Sequence, residues 1–193
     1  GGKKKVLATV LAGLMMAGGL APQQALADVD LGYSNINIAP SRLYPGYENT
    51  VTGTSAIAVG GLNTVKGSGN GRIAIGFENQ AMADAAVAIG NSSKATGGSS
   101  TALGAKANAA GGSAIAIGSE TSADQQSSLA IGDRMKATGA YATAVGNYGQ
   151  ATGSKSTAIG ALAKASGTNA TSLGANTVAS QEAAAALGSY AEA

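Results

Sequence analysis

The side chains that could do chemistry in this sequence are few and belong to restricted types. The chain of 193 residues contains no His and no Cys, which removes the usual nucleophile–base pairs and the commonest metal ligands. Five carboxylates, Glu78, Asp84, Glu120, Asp124 and Asp133, are scattered along it, whereas acid–base catalysis needs two held at a fixed separation. The sequence therefore predicts no catalytic, cofactor-binding or metal site, and we do not expect an enzyme.

A glycine-rich stretch, GGLNTVKGSGNG at residues 60–71, has the composition of a phosphate-binding loop. It lacks the Gly-Lys-Ser/Thr ending of such loops, and no helical pattern comes after it. We interpret it as a corner between strands, and no small-molecule substrate is predicted.

One set of charged residues is regularly spaced. Lys106, Glu120 and Arg134 succeed one another at intervals of 14 residues, and Tyr148 and Tyr190 occupy equivalent positions further along. If equivalent residues stack, their charges alternate along a row. We interpret the row as exposed ion pairs, which contribute about 0–1 kcal/mol each. The sequence identifies no ligand-binding residue.

The first 27 residues have the three-part pattern of an export signal. Lys3, Lys4 and Lys5 precede an apolar run from Val6 to Leu20, and Ala25-Leu26-Ala27 forms a small-residue cleavage site. We expect cleavage after Ala27. The remainder is close to neutral and offers no basic stripe, so nucleic acid is not a predicted partner.

A short motif ending in glycine recurs through the rest of the chain, as in AIAIG at residues 114–118. The first interval between closing glycines is 16 residues and every later one is 14. The two additional residues fall within a turn-like cluster at residues 68–71, which can bulge without disturbing the next copy of the motif. The closing glycines are Gly60, Gly76, Gly90, Gly104, Gly118, Gly132, Gly146, Gly160, Gly174 and Gly188.

The repeat is too short for helices and suits strands. A second turn, marked by Gly97 or Gly111 and their equivalents, divides each copy into two segments of about five residues, the usual strand length. Apolar residues alternate with Ala in the first segment, which is the period of a strand. Each copy therefore predicts one coil of an all-β parallel solenoid, in which identical positions stack about 4.8 Å apart.

The residue before each closing glycine is always aliphatic. We expect this ladder to fill the interior of the roll as its core, opposite the Ala residues five positions after the glycine. The core ladder consists of Val59, Ile75, Ile89, Leu103, Ile117, Ile131, Val145, Ile159, Leu173 and Leu187.

The residue two positions before each closing glycine is always small, and alternation predicts that it faces outward. Exposed strand positions usually take Thr, Ser or charged residues, so an Ala column there predicts contact with another subunit; the alternative is Ala enrichment from copying of the repeat. The predicted subunit-interface ladder consists of Ala58, Ala74, Ala88, Ala102, Ala116, Ala130, Ala144, Ala158, Ser172 and Ala186.

The segments SSLAIG at 127–132 and KSTAIG at 155–160, with KATG at 94–97 and 136–139, resemble the YadA-like head of trimeric autotransporter adhesins. The resemblance covers about residues 46–193. It implies a left-handed parallel β-roll with a 14-residue coil that forms homotrimers on a Gram-negative surface and binds host matrix proteins, cells or other bacteria.

The export-signal pattern, the repeat register and the resemblance together predict the organisation of the chain. Residues 1–27 form the signal peptide, residues 28–45 a cap or degenerate coil, and residues 46–193 the head repeats. The sequence contains no stalk heptads and no barrel strands and stops midway through a coil. We therefore expect either the passenger fragment of a longer precursor with an outer-membrane anchor or an incomplete gene product.

Two other interpretations stay open. A surface-coating or ice-binding solenoid would present a regular Thr array, but Thr101, Thr143, Thr157 and Thr171 share their column with Ile115 and Leu129. A disordered Gly/Ala/Ser tract would not maintain an unbroken aliphatic ladder.

Overall fold

The computed structural model describes residues 28–30, 36–39, 48–67 and 69–193. In these residues every regular element is a β-strand, and the strands form two sheets on opposite sides of one roll. Each coil contributes one longer strand to the first sheet and one short strand to the second. The prediction of an all-β parallel solenoid with a 14-residue coil is confirmed. No described segment forms an apolar helix long enough to span a bilayer.

The first sheet has 12 strands, and beyond its first pair all neighbours are parallel. In spatial order its strands are β1 (Asp28–Asp30), β2 (Ile36–Ala39), β4 (Ala56–Gly61), β6 (Arg72–Phe77), β8 (Val87–Asn91), β10 (Thr101–Ala105), β12 (Ile115–Ser119), β14 (Leu129–Asp133), β16 (Thr143–Asn147), β18 (Thr157–Ala161), β20 (Thr171–Leu173) and β22 (Ala185–Leu187).

The second sheet has 10 strands, and each of its strands has two residues. In chain order they are β3 (Thr50–Val51), β5 (Thr64–Val65), β7 (Gln80–Ala81), β9 (Lys94–Ala95), β11 (Asn108–Ala109), β13 (Ser122–Ala123), β15 (Lys136–Ala137), β17 (Gln150–Ala151), β19 (Lys164–Ala165) and β21 (Val178–Ala179).

Equivalent positions of successive coils are directly paired. Leu103 is the register partner of both Ile89 and Ile117, so the aliphatic residues form one continuous row as the repeat predicts. The longer coil does not disturb the register, because Gly60 pairs with Gly76 across it. Its additional residues lie before β6, where the Gly71 amide donates to the Ser55 carbonyl at 3.0 Å.

The interior is built from small side chains. In each coil the positions four and two before the closing glycine, and three and five after it, point inward, and their Ala residues are almost all completely buried. The Ala column five after the glycine lies inside as expected, from Val65 to Ala179.

The predicted sides of the other two ladders are wrong. The supposed interface ladder is the interior, since all its members are 0–2% exposed: Ala58, Ala74, Ala88, Ala102, Ala116, Ala130, Ala144, Ala158, Ser172 and Ala186. The supposed core ladder points outward, half-buried or exposed: Val59, Ile75, Ile89, Leu103, Ile117, Ile131, Val145, Ile159, Leu173 and Leu187.

The width of the roll explains this reversal. Only two residues separate β8, which ends at Asn91, from β9, which begins at Lys94. Such a short corner holds the sheets close together, and an interior packed at normal density then has room for methyl groups but not for opposed Ile or Leu side chains. The larger aliphatic residues therefore occupy the outer side of the longer strands.

Two features require glycine at the closing position: a positive φ and the close approach of the backbone of the next coil. Gly118 has a φ of 124°, which L-residues rarely adopt, and a Cβ there would lie 1.7 Å from the Gly132 carbonyl oxygen. The second-turn glycines have a different requirement: a Cβ on Gly97 would lie 2.0 Å from the Gly111 oxygen. Both glycine positions therefore permit close stacking of coils.

The N-terminal part of the described chain differs from the repeats. Strand β1 pairs antiparallel with β2, and β2 pairs parallel with β4. The boundaries of the cap predicted at residues 28–45 remain a prediction. The predicted signal peptide lies outside the described residues.

Candidate functional site

The most extensive candidate surface is the outer side of the first sheet, which we name the apolar outer face. It combines the aliphatic row before each closing glycine with the row two residues earlier. Ile115 is 37% exposed, Leu103 41% and Leu173 42%. The earlier row contains Ile57, Ile73, Val87, Thr101, Ile115, Leu129, Thr143, Thr157, Thr171 and Ala185.

This face is unusual for a surface in contact with water. Isolated exposed aliphatic residues are common, but here an unbroken aliphatic row from β4 to β22 lies beside a second row of aliphatic residues and Thr. The two rows form a continuous patch, and such patches mark contacts with other macromolecules. Because the interior contains mainly methyl groups, most of the large aliphatic surface of the described coils lies on this face. Association through it would bury the surface that the roll itself leaves accessible.

The predicted charged row exists at one corner of the roll. Arg134 Nε donates to Glu120 Oε2 at 2.8 Å, and Lys106 Nζ lies 3.9 Å from Glu120 Oε1. The Arg134 guanidinium also donates to the Tyr148 hydroxyl and sits 5.1 Å from the centre of that ring. All four residues have φ near 55°, so the corner itself directs them along one line.

The charged row changes the ionisation of its members. The hydrogen bond from Arg134 and the charge of Arg134 lower the pKa of Glu120 below its ordinary value of 4.5, with a smaller contribution from Lys106. The same hydrogen bond and the Glu120 charge raise the pKa of Arg134. Both side chains are exposed to solvent, so the row orders a surface corner and adds little to stability.

The remaining carboxylates singled out from the sequence have separate partners. Glu78 accepts from the Ser92 hydroxyl at 3.1 Å, Asp133 accepts from the Asn147 amide at 3.3 Å, and Asp84 lies 4.0 Å from Arg72. Asp124 accepts from Asn108 and Ser122. No group of three potential metal ligands occurs among the residues that the structure describes.

The described part of the glycine-rich stretch at 60–71 connects strands, but it is not the single corner that the sequence predicts, because a short strand lies within it. It contains the end of β4 and all of β5, and it leads into strand β6. Its backbone amides do not lead into a helix, which a phosphate loop requires.

A buried row of amides was not anticipated from the sequence. Asn63 donates to the Asn49 side chain at 3.0 Å, and Asn79 donates to the Asn63 side chain at 2.9 Å. Asn63 also donates to the Val59 and Gly76 carbonyls. Alignment of the third residue after each closing glycine would have revealed the row, since Asn63 and Asn79 are equivalent there.

Arg72 is a second unanticipated feature. It occupies an inward position that holds Ala or Ser in most other coils, and it is completely buried. Its Nη2 donates to the Thr52 carbonyl at 3.3 Å, while Nε and Nη1 have no hydrogen-bond partner in the structure. Gly53 and Gly67 provide the space, because a Cβ on either would lie within 2.8 Å of the guanidinium.

Comparison with known protein families identifies the repeat. The family model described as the YadA head domain repeat matches eight overlapping segments. These extend from residue 68 to residue 191, which is more than half of the chain. No curated protein matches the sequence.

Proposed function

The chain belongs to the YadA head repeat family, and we propose that it is the head of an exported trimeric adhesin. The family implies an adhesin-like protein exposed at the cell surface, and its parallel roll is of a non-enzymatic kind. The specific proposal is that three copies assemble through their apolar outer faces and that the assembled rod attaches bacteria to host matrix proteins, to cells or to other bacteria.

The apolar outer face carries the proposal of assembly. A single roll leaves Ile75, Leu103 and Ile159 between 36% and 41% exposed, although these residues are paired in unbroken rows. Packing of two such rows against those of sister chains would remove them from water, at about 25 cal/mol for each Å² of apolar surface. Three copies around one axis would leave the second sheet of each roll facing outward.

The repetition of the coil supports an adhesive role. A stack of nearly identical coils presents similar side chains at regular intervals, and three copies multiply each of them. Weak contacts made together give a high overall avidity without a deep binding pocket. This arrangement suits attachment to extended extracellular ligands, whose own surfaces are repetitive.

Adhesion is tested by measuring retention of the purified chain on immobilised collagen, fibronectin and laminin and on cultured cells. We expect saturable retention on at least one of these surfaces. Wild type is compared with the Ile117→Lys variant, which places a charge in the apolar outer face and should prevent assembly. If assembly provides avidity, this variant is retained at least tenfold less. Absence of retention of the assembled wild-type chain on every surface would instead favour a surface-coating solenoid.

A further inference from the structure

We propose that the outer side of the second sheet binds linear sulfated polysaccharide. The proposal deepens the proposed function by naming a ligand class, and it rests on that function only in requiring an exported protein. We name this surface the lysine face. It consists of the positions four and six residues after each closing glycine, which point away from the interior.

The lysine face has a straight row of cations. Lys94, Lys136 and Lys164 occupy the same column, and each strand between them is paired in register. Lys136 lies three coils after Lys94, and Lys164 lies two coils after Lys136, so their backbone positions are spaced at about 14 Å and 10 Å along the roll. All three lysines are exposed, as is Lys66 near one end of the face.

These lysines are not neutralised by the described residues. The ion pairs found there involve Arg72, Lys106 and Arg134, and none of the four lysines of the face. The face has an acid at Asp124, whose Oδ1 accepts from Asn108 at 2.9 Å and from Ser122 at 2.5 Å. Glu192 lies in the same column at the last coil. The row from Lys94 to Lys164 therefore has an excess of positive charge.

A groove beside this row brings a second lysine, Lys106, to the same side of the roll as Lys94. It has a volume of about 430 Å³ and is lined by Lys94, Lys106, Asn108, Ser92 and Ala107. The groove opens to solvent between the corner and the lysine column. The Lys94 ammonium at its side can contact one anionic group while the polymer continues along the row to Lys136, whereas Lys106 lies 3.9 Å from Glu120 Oε1.

The side chains of the lysine face favour a sulfated polysaccharide over other polyanions. Binding of single-stranded nucleic acid uses aromatic side chains for base stacking, but the described positions of this face hold none. An interfacial membrane site needs large apolar residues that insert among lipids, whereas most of this face is Thr, Ser, Gln and Lys. A straight row of separated cations matches an extended polymer with fixed sulfate charges.

The test uses the full chain and immobilised heparin. The Lys94→Gln, Lys136→Gln double variant removes two charges from the row, and glutamine is native to the same column at Gln80 and Gln150. The matched control is Arg134→Gln, Lys155→Gln, which removes two charges elsewhere. We expect wild type and control to bind heparin with similar affinity, and the row variant to bind about tenfold more weakly. Circular dichroism of all three proteins checks that the fold is retained.

Competition by two further polyanions tests whether binding is specific for sulfated polysaccharide. Hyaluronan, which has no sulfate, should not compete with heparin, and duplex DNA should compete weakly at equal charge concentration. Equal loss of binding in both double variants, or equal competition by DNA, would overturn the proposal in favour of general attraction between charges. Absence of heparin binding by a chain that assembles and adheres would overturn this inference alone and leave the proposed function standing.

Discussion

Ala102 and Leu103 are consecutive residues of β10 whose side chains point in opposite directions, the first completely buried and the second 41% exposed. The same relationship recurs at every coil. The roll thus encloses its small residues and presents its large ones, which is the reverse of the usual distribution in a globular domain. A chain with this distribution has its greatest hydrophobic surface available for other molecules.

The narrow interior predicts a strong asymmetry between neighbouring positions. Ala144→Leu places a large side chain where only a methyl group fits and should lower the free energy of unfolding by about 1–3 kcal/mol. Thr143→Leu is the matched control, because this outward column already contains Leu129. Thermal unfolding followed by circular dichroism compares the two. Equal destabilisation would contradict the assigned orientation of the strand.

The closing glycines predict a similar contrast. Gly118→Ala combines an unfavourable φ with a close approach to the Gly132 carbonyl, and we expect a loss of about 1–3 kcal/mol. Gly112→Ala is the control, since its Cβ would meet no atom within 4 Å. The unfolding midpoints in urea measure the difference. A Gly118 variant as stable as the Gly112 variant would show that the coils are not stacked this closely.

The buried amide row should contribute to the stability of the first coils. Asn63→Ala leaves the Asn79 amide and two carbonyl oxygens without their described partner, which costs about 1–3 kcal/mol for an unsatisfied buried group. Asn147→Ala is the control, because Asn147 is exposed and has a hydrogen bond of 3.3 Å to Asp133. Amide hydrogen exchange near residues 49–93 should accelerate in the first variant and stay unchanged in the second.

The charged corner row predicts a measurable pH response. Arg134 lowers the pKa of Glu120, so the favourable contact is present above the unfolded pKa and is lost as the pH falls through the lower folded value. A carboxyl titration by NMR should place Glu120 below 4.5 in the wild type and return it toward 4.5 in Arg134→Gln. Because Glu120 is solvated, added salt should reduce the shift. A shift that survives removal of Arg134 would refute this cause.

The sequence contains enough information for the coil, its register and the stacking of equivalent residues. The recurrence of glycine at Gly104, Gly118 and Gly132 predicts the pairing of β10, β12 and β14, and the structure has that pairing. The charged row from Lys106 to Arg134 results from the same period, because equivalent residues must then lie side by side.

Which face of each longer strand points into the roll could not be predicted in the same way. Alternation establishes that Ala102 and Leu103 lie on opposite sides, but it does not say which side is inside. That choice depends on the distance between the sheets, which is set by the two-residue corners and is not encoded in hydrophobic periodicity. The usual rule that larger apolar residues lie inside therefore gave the wrong side for both ladders.

The mass of the full chain in solution, measured by light scattering, tests the central claim that the apolar outer face joins sister chains. We expect three times the single-chain mass of 18.4 kDa for the wild type and for the control Gln150→Lys on the lysine face. Ile117→Lys should have the mass of one chain with unchanged β-structure by circular dichroism. A wild-type chain that is monomeric and soluble at high concentration, with Ile117 exposed to water, would contradict the account.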